Sequence, residues 1–163
     1  MTRRAFTAAA GLYAVAVVCC ALFWPERVPL HFGFGLGADS YGSKWAGVAL
    51  ATAIGCSMVA LFAGCAWIAG RINLDLVNIR HAEFWKAPEN EQRLRRMLAD
   101  DMYHVGAATL VLLAGVFGLV TEAAVTGRDE LSWWAVVLLA GYLAYIAGWT
   151  GWLLTGRYRI DRP

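Results

Sequence analysis

Charged side chains along this sequence come in clusters, and four long stretches between the clusters hold none: Ala5–Pro25, Trp45–Gly70, Met102–Thr121 and Leu131–Gly156. Each runs for 20 to 26 residues. A helix rises about 1.5 Å per residue and the hydrocarbon core of a bilayer is roughly 30 Å thick, so each stretch is long enough to cross. The pattern predicts an all-α, polytopic membrane protein: one membrane domain, a bundle of four transmembrane helices. Between the spans lie a glycine-rich loop (residues 25–44), a longer polar segment (residues 71–101) and a short turn. Within the polar segment, apolar and polar side chains alternate over Ile72–Leu76, which suits a short strand or an extended segment. Further on, Leu94, Met97, Leu98, Met102 and Val105 fall on roughly one helical face. Pro88 suits a first helical turn, with Glu89 and Glu91 near its positive end. A juxtamembrane helix is therefore expected to begin near Pro88 and to run on into the third span.

Composition agrees. Apolar residues make up 60% of the chain, charged residues 16%, and mean hydropathy is +0.52. Soluble domains run near 45–50% apolar and about 25% charged. This excludes an ordinary water-soluble enzyme domain, a disordered chain and a coiled coil. The first apolar run follows Arg3 and Arg4 like a secretory leader, but it is long for one, and Trp24-Pro25-Glu26 is a poor cleavage site, so it is expected to be retained as a span.

Basic residues set the expected orientation. With the amino terminus in the cytoplasm, Arg3, Arg4, Arg71, Arg80, Lys86, Arg93, Arg95, Arg96, Arg157, Arg159 and Arg162 face inward, and only Arg27, Lys44 and Arg128 face outward. Both termini are thus expected to be cytoplasmic. A net charge of +2 gives no reason to invoke nucleic acid; membrane lipid accounts for the basic residues. Trp24, Trp45, Trp133 and Trp134 would lie near the outer interface, and Trp67, Trp149 and Trp152 near the inner one.

Small residues recur at four-residue spacing in three spans: Gly47, Ala51 and Gly55; Ala114 and Gly118; Ala140, Ala144 and Gly148. Such faces let helix backbones approach closely, inside the bundle or against another subunit. No Asp, Glu, Lys or Arg lies deep in a span, and no span is broken by proline, which argues against coupled transport by this chain alone. Cys19, Cys20, Cys56 and Cys65 all fall within spans and read as small apolar packing residues. The three histidines, His31, His81 and His104, show no metal-ligand spacing, so neither a metal nor any other cofactor is expected.

The loop Pro25–Lys44 has the most specific local sequence. Pro29, Gly33, Gly35, Gly37 and Gly42 suggest a structured turn rather than a helix or strand. Ser43 is placed to cap the second helix, and Lys44 to reach headgroups or Asp39. His31 and Asp39 suit a hydrogen-bond network. The segment Arg71–Asp101 balances six basic against six acidic residues. It reads either as a juxtamembrane elbow or as a docking surface built on Asn78, Phe84, Trp85 and Pro88. In the short turn, Thr126 followed by Asp129 resembles a helix-capping arrangement.

The order P-x-H-F-G-x-G-x-G-x-D-x-x-G-S-K over Pro29–Lys44 resembles a domain of unknown function found in the bacterial membrane immunity protein against the sporulation-delaying toxin. The matching positions are Pro29, His31, Phe32, Asp39, Gly42, Ser43 and Lys44. The family pattern has a glycine where this chain has Leu36, between Gly35 and Gly37. A second likeness lies in Asn78, Ile79, Phe84, Trp85 and Pro88, where the family has a proline in place of Arg80. The resemblance implies a multi-pass protein of the bacterial inner membrane that protects against a secreted toxin, or senses it and holds a protein partner at the membrane.

Two non-catalytic readings follow. One is a sensor or immunity-like protein whose outer loop (Pro29, His31, Phe32, Gly33, Asp39, Gly42, Ser43, Lys44) meets a ligand or peptide and whose inner loop meets a partner. The other is an accessory subunit of a larger membrane complex. A membrane enzyme is a weaker third reading, because no nucleophile–base–acid set and no carboxylate pair stands out.

Overall fold

The computed structural model describes residues 2–33 and 35–160; Arg162, assigned above to the inward-facing set, lies outside them. Helix α1 spans Thr2–Phe23. Strands β1 (Arg27–Phe32) and β2 (Ala38–Ser43) follow, then α2 (Lys44–Ala69). A 3-10 turn at Leu74–Leu76 and the short α3 (Ala82–Trp85) lead into α4 (Pro88–Thr126), 39 residues long. Helix α5 (Trp134–Trp152) ends in a wide π turn over Leu153–Arg157. Four helices are long and apolar enough to cross a membrane: α1, α2, α4, and α5 with its π turn. The chain is a mostly helical, multi-pass membrane protein.

Two expectations about local structure change. The loop at residues 25–44 is a two-stranded antiparallel hairpin, not an irregular turn, so the fold is not purely α-helical. The segment Ile72–Leu76 is a 3-10 turn rather than a strand: the Asn73 side chain accepts from the Asp75 N–H at 3.0 Å and offers the backbone a turn in place of a ladder. The helix expected to begin near Pro88 does so, with Pro88 in its first turn, and continues without a break through the third apolar run.

Helices α1 and α4 run side by side in the same direction: Phe6 meets Tyr103 at one end, and Cys20 meets Thr121 at the other. Helix α2 packs across both, and α5 packs on α4 alone. The core has three parts. Phe6, Ala9, Tyr13, Leu110 and Ala114 fill the middle. Cys20, Trp24, Val28 and Val120 lie under the hairpin. Leu74, Trp85 and Leu94 lie at the opposite end, with Tyr158 packed against them, where burying Leu94 alone contributes roughly 2 kcal/mol.

Candidate functional site

The hairpin owes its position to two glycines and one valine. Val28 is fully buried between the hairpin and the bundle. A side chain at Gly42 would collide with Leu30, and one at Gly47 with Trp24 and Val28. The missing Cβ at Gly47 lets the hairpin settle onto the bundle, and the one at Gly42 makes room for Leu30 within the hairpin. Ser43 caps α2 as expected, accepting from the Ala46 N–H at 3.2 Å.

The far side of the hairpin is held by the α4–α5 connection. The Ala38 N–H donates to the Asp129 carbonyl at 2.7 Å, and the Leu131 N–H donates to the Leu36 carbonyl at 2.9 Å. The Tyr41 hydroxyl donates to Asp129 Oδ1 at 2.5 Å; that bond holds the Tyr41 phenol above its ordinary pKa. Thr126 and Asp129 do not form a helix-start cap. α4 runs on to Thr126 and stops at Gly127 (φ 68°), so the Thr126 hydroxyl bonds back to the Glu122 carbonyl at 2.7 Å.

Two bulges shape the hairpin tip. Pairing steps from Pro29↔Tyr41 to His31↔Ser40 and then to Phe32↔Ala38, which leaves Leu30 and Asp39 as the extra residues. An unbroken ladder would pair His31 with Asp39 on one face; the irregularities shift His31 to Ser40 and then restore the register at Phe32↔Ala38. The two side chains meet, His31 Nδ1 to Asp39 Oδ1, at 2.6 Å. A carboxylate only accepts, so Nδ1 carries the proton. The pair is open, with side-chain exposures of 68% and 55%. Asp39 does not meet Lys44, whose ammonium lies over the Trp45 ring at 5.7 Å instead.

The other loop residues singled out from sequence divide by burial. Pro29 is buried, and Phe32 packs against the cluster beneath the hairpin. Gly33 sits where a Cβ would meet Asp39 Oδ2 at 3.4 Å. These residues build the hairpin, and His31 and Asp39 are among the polar groups it presents. Leu36 adopts φ 63°, the left-handed region that glycine favours and leucine resists. That is the position at which the family pattern noted above carries glycine.

At the opposite end, Trp85 is only 2% exposed; its indole N–H donates to the Tyr158 carbonyl at 3.0 Å. Its side chain holds the elbow together and has no surface to offer a partner. Asn78, Phe84 and Pro88 are exposed. The sequence reading missed the polar centre here. Asp101 is 3% exposed, with Arg157 Nη2 at 2.9 Å and the Tyr158 hydroxyl donating to Oδ2 at 2.5 Å. Burial, and then the bond to Asp101, push the Tyr158 phenol well above its usual range. The signal was present: Asp101 closes one charged cluster just before an apolar run, and Arg157 opens another just after one.

The helix faces also divide. Ala51 is buried, and its carbonyl accepts from the Tyr13 hydroxyl at 2.6 Å; Gly55 leaves room for that ring. Ala114 is buried, whereas Gly118 meets nothing. Ala140, Ala144 and Gly148 face outward, since α5 buries no residue. That stripe is not an internal packing face. Trp24 is buried against the bundle, donating to Thr121 Oγ1 at 2.9 Å. Among the described residues, no three His, Cys, Asp or Glu side chains converge as metal ligands, and all four cysteines are free thiols.

A family model described as a domain of unknown function (DUF1648) matches residues 8–55, which takes in most of α1, the hairpin and the first half of α2. The match contains the His31–Asp39 pair and stops short of the elbow. No curated protein and no solved structure matches the chain.

Proposed function

We propose that this chain is a non-catalytic receptor-like protein of the bacterial cytoplasmic membrane, with both termini inside and the hairpin outside, and that the hairpin meets a ligand or peptide in the manner of a sensor or immunity protein. One observation carries the reading: the exposed His31–Asp39 pair at the tip of a hairpin otherwise clamped on both sides. An exposed ion pair contributes only about 0–1 kcal/mol to stability, so the fold gains little from holding these two polar side chains together in the open. A rigid mount with an exposed imidazole and carboxylate at its tip suits recognition. The resemblance of Pro29–Lys44 to the immunity protein against the sporulation-delaying toxin supports the same reading. The exposed Asn78, Phe84 and Pro88 would face a protein partner on the inner side.

The test is survival of a toxin-sensitive bacterium expressing the chain and challenged with the sporulation-delaying toxin. Protection by the wild type, lost in His31→Ala and Asp39→Asn at equal amounts of membrane-inserted protein, is the expected result. Unchanged survival with the wild type, or full protection by both variants, would overturn it. Labelling Ser40→Cys and Arg159→Cys with a membrane-impermeant maleimide on intact cells checks the orientation: only the first should react.

A second reading, an accessory subunit of a larger membrane complex, is favoured by the outward stripe Ala140, Ala144 and Gly148 on α5. It expects a fixed partner that co-purifies in mild detergent whether or not His31 and Asp39 are intact.

A further inference from the structure

Helix α5 approaches α4 and makes no close backbone approach to α1, so a furrow remains between α1 and α5 with α4 as its floor. Its volume is about 750 Å³. Ala8, Ala108 and Gly141 keep it open, because none carries a side chain long enough to fill it. The polar side chains in its wall already have partners: His104 is hydrogen-bonded to Tyr145, and the Tyr142 hydroxyl lies 2.9 Å from Thr109 Oγ1 behind the wall's surface residues. What remains is an apolar slot. It runs from Ala5 to Leu12 along α1, roughly 10 Å at the helical rise, within the ~15 Å of one bilayer leaflet.

The mouth of the slot is cationic. A second hollow, lined by Arg3, Arg4, Thr7 and Ala8, shares Ala8 with the furrow. Arg4 stands one helical turn before Ala8, on the same face. Both arginines are exposed, and among the described residues neither takes part in an ion pair. Asp100, at the same level, is engaged by the Thr2 hydroxyl. An apolar slot one leaflet deep with two free guanidinium groups at its mouth has the chemistry of an amphiphile with an anionic head.

We propose that the furrow is a binding site for an anionic glycerophospholipid, with one acyl chain lying between α1 and α5 and the phosphate held by Arg3 and Arg4. Charge selects this occupant. A second copy of the chain, inserted the same way in the membrane, would bring its own Arg3 and Arg4 to the same level and meet repulsion. A zwitterionic lipid would bring a cationic group beside the arginines. The site goes beyond the hairpin reading and does not depend on it.

Native mass spectrometry of the full chain, released from a mild detergent with equal amounts of phosphatidylglycerol and phosphatidylcholine of identical acyl chains, tests it. The wild type is expected to retain phosphatidylglycerol with about tenfold preference, on the attraction of two arginines near a headgroup. Arg3→Gln combined with Arg4→Gln should erase the preference with the melting temperature unchanged. Gly141→Leu should lose both lipids: a Cβ there meets nothing within 4 Å, so the larger side chain enters the slot without disturbing the helix. His31→Ala should bind as the wild type does, which keeps this result separate from that of the hairpin. Equal retention of the two lipids by the wild type, undiminished binding by Gly141→Leu, or a lipid-free dimer as the main species would each overturn the proposal.

Discussion

The Tyr158 hydroxyl donates to Asp101 Oδ2 at 2.5 Å across 57 residues of sequence, tying the segment that follows the last span to the point on α4 where its apolar run begins. Arg157 completes the contact from the same turn, with Nη2 at 2.9 Å from Asp101 Oδ1, although its Nε finds no partner. Asp101 is the buried charged side chain of the described core, and everything that neutralises it comes from the carboxyl-terminal segment.

Removing that carboxylate leaves a half-buried guanidinium uncompensated. Asp101→Leu is expected to cost roughly 3 kcal/mol, and Asp101→Leu with Arg157→Leu to recover most of it, because the apolar pair needs no desolvation. Thermal unfolding in detergent measures both. The single variant should also expose residues 153–160 to protease.

Tyr158 gives the same end of the molecule a pH dependence. Its folded pKa lies above the unfolded value near 10, so between the two the unfolded chain loses its proton first. The contribution of this group is complete below pH 10 and declines as pH rises beyond it. Tyr158→Phe should lower stability by about 1 kcal/mol at pH 8 and weaken the decline between pH 10 and 11, as read from melts at each pH.

The glycines of the apolar helices should separate cleanly. Gly55→Leu would drive into the Tyr13 ring and Gly47→Leu into Trp24, so each is expected to cost 2 kcal/mol or more, roughly the overpacking range. Gly148→Leu meets open space and should stay within about 0.5 kcal/mol of the wild type. Detergent melts compare the three. If α5 faces a partner subunit, Gly148→Leu should release that partner while leaving the melt unchanged.

Leu36→Gly should stabilise the hairpin by roughly 1 kcal/mol, because it relieves a left-handed backbone that leucine tolerates poorly. Slower hydrogen exchange at the Ala38 and Leu131 amides, which tie the hairpin to the α4–α5 connection, is the readout.

His31→Ala should change stability by less than about 1 kcal/mol, since the pair it breaks is open to solvent. A large loss in the melt would mean that the pair serves the fold, and would remove the observation on which the proposed function stands.

The apolar runs were enough to identify the spans, because crossing a bilayer requires length and the absence of charge, and both are local properties. The start of α4 at Pro88 and the Ser43 cap of α2 were legible for the same reason: each depends on neighbours within one turn. Pairings across the chain were not. The pairing of the two strands that sets Asp39 beside His31, the burial of Trp85 and Trp24, and the meeting of Asp101 with Arg157 and Tyr158 depend on which faces come together. The small-residue repeats illustrate the difference. Gly47, Ala51 and Gly55 look much like Ala140, Ala144 and Gly148 along the chain, yet Tyr13 and Trp24 fill the first face and nothing fills the second. The order of residues determined that the chain enters the membrane and where each helix crosses it. The packing of α1 and α2 against α4, with α5 left at the edge, decided which polar groups are spent on the fold and which remain free, because that outcome depends on contacts between helices that no single segment contains.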